Sequence, residues 1–334
     1  MPRSTSREPS PPDMWGQRLY ARLHEEIDPF SDRQYFRPLE RAYTGDNTFW
    51  TVPSPEPRLP DDFWEAVAAH LGDAAVQEAG RRLAEAVSRW EPDGSRLVFA
   101  AILRAGVPVA DWLCRLLPGA SAAALSLFVG LGIDRVALRS LQHDYPDRRI
   151  VFVDGWTGRG GVARAIAALN AGPLAVLVDP WGWADFSGSP EDLFCPTACF
   201  TGVATLGFSR TFFVDEKRLF GAYRFPERYC RKDLVACWQG HCPAPGRNGP
   251  RTLSPPQRFF RETPLPIHAN EVCRAMINAA PETLFFRDSA PAAQQRYPLL
   301  LKLAARRNVP VQYDAGHLAG LRTRVACTLR SSGA

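Results

Sequence analysis

Residues 150–161 read IVFVDGWTGRGG. An apolar stretch delivers Asp154, and Gly155, Gly158, Gly160 and Gly161 surround Thr157 and Arg159 before a helical pattern opens at Val162. Glycines let a backbone come close to an anion, and the N–H groups of a helix N-terminus supply partial positive charge. A carboxylate at the carboxyl end of a strand in an open α/β sheet sits where ligands bind, and it can accept hydrogens from ribose hydroxyls. Thr157 can donate to a phosphate oxygen. No Lys-Ser/Thr pair follows the glycines, so this is not a Walker A loop, and the glycine spacing is not the dinucleotide fingerprint. The plain alternative is a strand–turn–helix connection with no ligand.

A second turn of the same kind is LRAGVPVA, residues 103–110. Here Arg104, Ala105 and Gly106 separate an apolar run from a helical pattern. Pro108 falls in the first helical turn, where its missing N–H has no intrahelical partner to lose. Two such turns in one parallel sheet suggest a single ligand with two phosphate groups, one for each loop.

The elements that must carry these turns are legible. Short apolar runs at 96–103, 123–129, 150–153 and 174–178 alternate with helical patterns. Strands apolar on both faces and separated by helices imply a parallel α/β sheet. Before them, Phe63, Val67, Leu71, Val76, Leu83, Val87 and Trp90 recur at three to seven residues and predict one or two amphipathic helices ending at Glu91-Pro92. Residues from about Met14 to Tyr43 mix aromatics with charges and read as one or two further helices. The expected organisation is a disordered tail (1–13), a helical extension (14–91), an α/β core (92–240), a proline-rich linker (241–264) and a small α/β module (265–334).

Composition sets the outer bounds. The chain has 334 residues, 46% hydrophobic and 22% charged, the balance of a globular protein with room for two domains. No apolar run approaches the ~20 residues that span a bilayer, and the N-terminus lacks a signal-peptide stretch. Eight cysteines spread over the chain fit a reducing cytoplasm better than a disulfide framework. The net charge of +5 resides in residues 265–334, where nine basic side chains face four acidic ones. A basic module on a neutral body is expected to meet a polyanion.

These motifs resemble a known family. The Asp-Gly-Trp-Thr-Gly turn and the Arg-Ala-Gly-Val-Pro turn look like the ribose-phosphate and pyrophosphate loops of type I phosphoribosyltransferases. Together with Gly132–Asp134, LAVLVDPWG and the block from Ser189 to Thr211, they are similar to the phosphoribosyltransferase-like proteins of bacterial tellurium-resistance (ter) stress operons, also labelled "cysteine protease StiP". Residues 265–330 resemble the pelota-type RNA-binding domain. The resemblance implies a type I phosphoribosyltransferase-like parallel sheet, and transfer of a phosphoribosyl group from phosphoribosyl pyrophosphate, with Mg²⁺, to a nucleobase-like acceptor, which could make a nucleoside-like stress metabolite. Asp154 and Arg104 would be catalytic. Asp154, Gly155, Thr157, Gly158, Arg159, Gly160 and Gly161, with Arg104, Ala105 and Gly106, would bind the substrate. Arg306, Arg307, Arg322 and Arg324 would contact RNA phosphates, and the reading leaves room for a homodimer.

Two rivals stand beside it. One is a sensor of phosphoribosyl pyrophosphate or a nucleotide that binds RNA without turnover. The other is a cysteine hydrolase using Cys199 as nucleophile, with His143 or His241 as base. Cys230, Cys237, His241 and Cys242, with Cys195 and Cys199 as further candidates, offer soft ligands, but their spacing fits no common zinc module, so no metal site is expected from them. His268 and His317 are expected on the surface of the small module.

Overall fold

The computed structural model describes residues 15–37, 50–158, 160–201, 206–245 and 266–330. The tail expected at 1–13 and most of the linker expected at 241–264 lie outside them.

The centre is a six-stranded, all-parallel sheet. Its strands are β1 (Arg18–Leu19), β3 (Leu97–Ile102), β4 (Ser121–Leu125), β7 (Arg149–Trp156), β8 (Leu174–Val178) and β9 (Phe186–Ser189), in the order β1-β4-β3-β7-β8-β9. β3 and β8 are buried at every position, which is why their sequences are unbroken apolar runs. Alternate residues serve opposite faces. Phe99, Ala101, Val151 and Val153 join one apolar cluster, while Val98, Ala100, Ile102 and Phe152 join the other. Helices α2 (Ala74–Trp90) and α3 (Gly106–Leu116) cover the first face, and α4 (Arg135–Asp144) and α5 (Gly161–Ala167) the second.

The helices predicted at 61–91 form as α1 (Asp61–His70) and α2. Asp73 caps α2 by accepting from the Ala75 N–H, and Val76, Leu83 and Val87 face the sheet. Residues 15–37 differ from expectation. They form β1, β2 (Arg22–Glu26) and one 3₁₀ turn (Arg33–Tyr35), not α-helices. β1 pairs with β4 and takes the edge hydrogen bonds of the six-stranded sheet, while β2 pairs in parallel with β10 (Gly221–Arg224) as a separate two-stranded sheet. β7 also runs past its apolar core. It continues to Trp156, pairing Asp154 with Val176 and Trp156 with Val178, and so places Asp154 inside the strand.

The carboxyl-terminal part holds a three-stranded mixed sheet, with β11 (Pro281–Phe286) between β12 (Val311–Gln312) and β13 (Val325–Leu329). Between α3 and this part lies α6 (Lys232–Gly240), and the helices packed on the small sheet are α7 (Ala269–Asn278), α8 (Ala290–Arg296) and α9 (Pro298–Arg306). Pro298, at the first position of α9, separates it from α8. This part shares a core with the large sheet. Val272, Met276, Leu299 and Leu303 belong to the same apolar cluster as Leu83, Val107 and Trp112. Asp192, fully buried, accepts from the backbone N–H groups of Ala269, Arg324 and Val325, and the Tyr297 hydroxyl donates to its carbonyl. His268 is also fully buried, contrary to expectation. Its Nδ1 accepts from the Asn270 N–H at 3.0 Å, and burial lowers its basicity, so the ring is neutral and caps α7. His317 is exposed, as expected. No helix among the described residues is long and apolar enough to cross a membrane.

Candidate functional site

Two cavities share one wall. The larger, about 510 Å³, opens above the carboxyl ends of β3 and β7. Parallel strands point their carboxyl ends and the following helix N-termini the same way, which makes this edge the natural ligand side of such a sheet. Arg104 and Ala105 line it from the first turn, and Asp154, Thr157, Gly158, Gly160 and Gly161 from the second. Gly155 and Gly106 are not in the lining. A methyl at Gly106 would collide with the Val153 carbonyl oxygen, so this glycine is needed for helix α3 to lie against β7. Arg159 lies outside the described residues.

The Thr157 hydroxyl is committed elsewhere. It donates to Asp179 at 2.8 Å, and Asp179 also accepts from the N–H groups of Trp181, Gly182 and Ala184. Asp154 is the titrating group of the cleft. The protein packed around it raises its pKa to about 7, partly opposed by a 2.7 Å hydrogen bond from the Gly155 N–H and by the charge of Arg274, while one side stays open to the cleft. Such a carboxyl is part protonated at neutral pH, a common mark of functional sites.

Sequence reading missed the opposite wall. Arg210, Glu271 and Arg274 face Asp154 across the cleft, and Trp50 stacks on Phe128 at 4.4 Å to form its apolar side. Arg210 lies in the block from Ser189 to Thr211 and Glu271 and Arg274 in the basic module, but nothing in their spacing sets them apart. With Arg104, three guanidiniums meet two carboxylates, one of them part protonated. That donor set is a poor cage for Mg²⁺, which wants several anionic or neutral oxygens in octahedral array.

The smaller cavity, about 360 Å³, lies behind the shared wall. Glu56 and Arg210 form that wall. Glu56 Oε1 accepts from Arg104 at 2.9 Å and from the Arg210 N–H at 3.3 Å, and Arg210 also holds Ser54 and Asn278. Both Arg104 and Glu56 are buried, and Glu56 Oε2 has no hydrogen-bond partner among the described residues. The 3₁₀ turn Pro196–Thr201 brings Cys199 to this cavity, the one cysteine lining either of the two.

Cys199 Sγ lies 3.9 Å from Cys273 Sγ on α7. Burial, followed by the hydrogen bond and charge of Cys273, pushes the Cys199 thiol well above its ordinary pKa. Neither histidine expected as its base is beside it. His143 is exposed on α4, which covers the other sheet face, and the His241 ring packs against Gly72. Cys195 contacts the Thr197 hydroxyl at 3.1 Å, and burial raises its pKa to about 11. No three of the cysteine, histidine or acidic side chains come together as a metal site among the described residues.

The four arginines expected to meet RNA are engaged within the chain. Arg306 pairs with Asp62 at 2.9 Å, Arg307 donates to the Met276 and Ala279 carbonyls, Arg322 reaches the Pro180 carbonyl, and Arg324 pairs with Asp288 at 2.5 Å.

The fold and the site define an α/β protein with an open parallel sheet, a charged cleft over its carboxyl edge, and a buried thiol behind that cleft. The chain belongs to the StiP family: the family profile "Tellurite-like stress resistance cysteine protease StiP" matches residues 51–236, more than half of it. It is 28% identical over 145 residues to a protein of Acinetobacter baylyi named "Cysteine protease StiP", an alignment covering 38% of each chain. The family description corrects the expectation of phosphoribosyl transfer. It agrees with the thiol-dependent alternative.

Proposed function

We propose that the chain is a thiol-dependent hydrolase of peptide-like bonds with Cys199 as nucleophile. What carries the reading is that the thiol reaching a cavity belongs to a chain of a family described by cysteine proteolysis. Glu56 and Asp61 are the carboxylates lining the same cavity, and Glu56, whose Oε2 has no hydrogen-bond partner among the described residues, is assigned as the acceptor for the thiol proton. Cys199 Sγ then bonds to the substrate carbonyl carbon, Arg210 balances the oxyanion, and the proton passes from Glu56 to the leaving amine. Water hydrolyses the thioester, releasing the acid and restoring the thiol. The larger cleft, with Arg104, Arg274, Gly158, Gly160 and Gly161, would hold an anionic part of the substrate. The phosphoribosyltransferase-like likeness of the sheet and the pelota-like likeness of residues 265–330 enter this reading as scaffold alone.

Proton transfer from so weakly acidic a thiol to a carboxylate is uphill, so the enzyme should be slow. Hydrolysis of a fluorogenic peptide library should change little from pH 7 to 9, because the proton moves from Cys199 to Glu56 within the site and none is lost to solvent. Cys199→Ser should lose at least ~100-fold. Undiminished activity in Cys199→Ser would overturn the assignment.

A further inference from the structure

The smaller cavity carries a pattern that thiol chemistry does not need. Three arginines at its rim each lie over an aromatic face: Arg58 over Phe30 at 5.5 Å, Arg228 over Tyr229 at 4.8 Å and Arg231 over Trp64 at 5.8 Å. All six side chains line the cavity. A guanidinium stacked on a ring keeps its edge N–H donors directed outward, and stacking limits the entropy it loses on binding an anion.

Their acid partners are weakly held. Arg228 pairs with Asp28 at 2.8 Å and Arg231 with Asp233 at 2.7 Å, both at the surface, where such pairs contribute little and exchange readily for a ligand carboxylate. Arg58 is exposed and has no acidic partner among the described residues. Of the two acids in the lining, Glu56 is already neutralised by Arg104, and Arg228 and Arg231 hold acids outside the lining, which leaves Asp61 against Arg58 and Arg210. The excess is positive. A volume near the lower end of the ~300–1,000 Å³ typical of ligand pockets admits one or two side chains rather than a folded surface.

We infer that this arginine–aromatic rim selects substrates with a carboxylate beside the bond presented to Cys199, either an acidic side chain or a free chain terminus, and that Arg58 is its principal reader. The inference rests on the hydrolase reading for the purpose of the site, and it is tested without turnover. The full-length Cys199→Ala protein is titrated by fluorescence anisotropy with labelled hexapeptides: one with two internal glutamates, its glutamine counterpart, and glutamine peptides with a free or an amidated C-terminus. Binding of a carboxylate-bearing peptide at least about tenfold tighter than its neutral counterpart is expected, and which peptide gains tells side chain from terminus.

Arg58→Ala should remove most of that preference. Arg58→Glu should reverse it toward a lysine-containing peptide, an effect that loss of a merely structural side chain would not produce. Equal affinities for charged and neutral peptides, or an unchanged preference in both Arg58 variants, would overturn the inference. Selective binding by a wild-type protein that hydrolyses nothing would sink the hydrolase reading while leaving the carboxylate site standing.

Discussion

The two cavities use the same residue types to opposite ends. In the larger cleft the buried titrating group is an acid, Asp154, open on one side and facing arginines across an empty gap. In the smaller one it is the thiol of Cys199, packed against a second thiol and away from any histidine in the lining. Desolvation raises both pKa values, yet the consequences differ. An acid raised to about 7 is poised between two charge states at neutral pH, whereas a thiol raised from an already high value is simply protonated. The Arg104–Glu56 pair between the cavities therefore matters to both, since Arg104 serves the first and Glu56 the second.

The sharpest way to break that arrangement is Arg104→Ala. It leaves the Glu56 carboxylate buried without its main countercharge, and a loss of about 3–5 kcal/mol is expected in urea unfolding. Arg104→Met combined with Glu56→Leu should recover most of it, because the cost lies in the orphaned charge.

Asp154→Asn should act with the opposite sign. The folded carboxyl titrates near 7 and the unfolded one near ~4. Between those values the folded state binds more protons, so wild-type stability falls as pH rises through the window and is level above it. Asparagine keeps an acceptor for the Gly155 N–H and carries no charge. The variant should be more stable than wild type by about 1–3 kcal/mol at pH 8, a figure reduced for the open side of the cleft, and no more stable at pH 4. Melting curves at both pH values check this, and equal gains at pH 4 and pH 8 would show that Asp154 is not the titrating group.

The smallest effect belongs to Cys273→Ala. Its thiol is the second cause, after burial, of the raised Cys199 pKa, so removing it should speed iodoacetamide labelling of Cys199 a few-fold at pH 8. Burial remains, which limits the gain.

Much of the scaffold was readable without coordinates. Runs such as LAVLV and IVFV can satisfy both faces of a sheet only as central parallel strands, and Asp73 with the Val76–Leu83–Val87 spacing specifies a capped amphipathic helix. Both anion-type turns fall on adjacent strands, as β3 pairs with β7. Residues 15–37 differ from the helical expectation because their pattern is too short to show a period, and long-range pairing with β4 and β10 makes them strands. His268 was misplaced because a buried cap looks, in sequence, like any polar residue before a helix.

What the sequence determined by itself is local: which segments must be strands, which must be helices, and where glycine allows the backbone to turn toward a ligand. Those follow from periodicity and backbone sterics, which act over a few residues. Packing of the whole chain is what stands Glu56, Arg210, Arg274 and Cys199, from four distant segments, around two cavities, and gives Arg306, Arg307, Arg322 and Arg324 each a partner elsewhere in the chain. Burial and the distance between charges set what an ionisable group can do, and both arise from packing across the whole chain rather than from spacing along it.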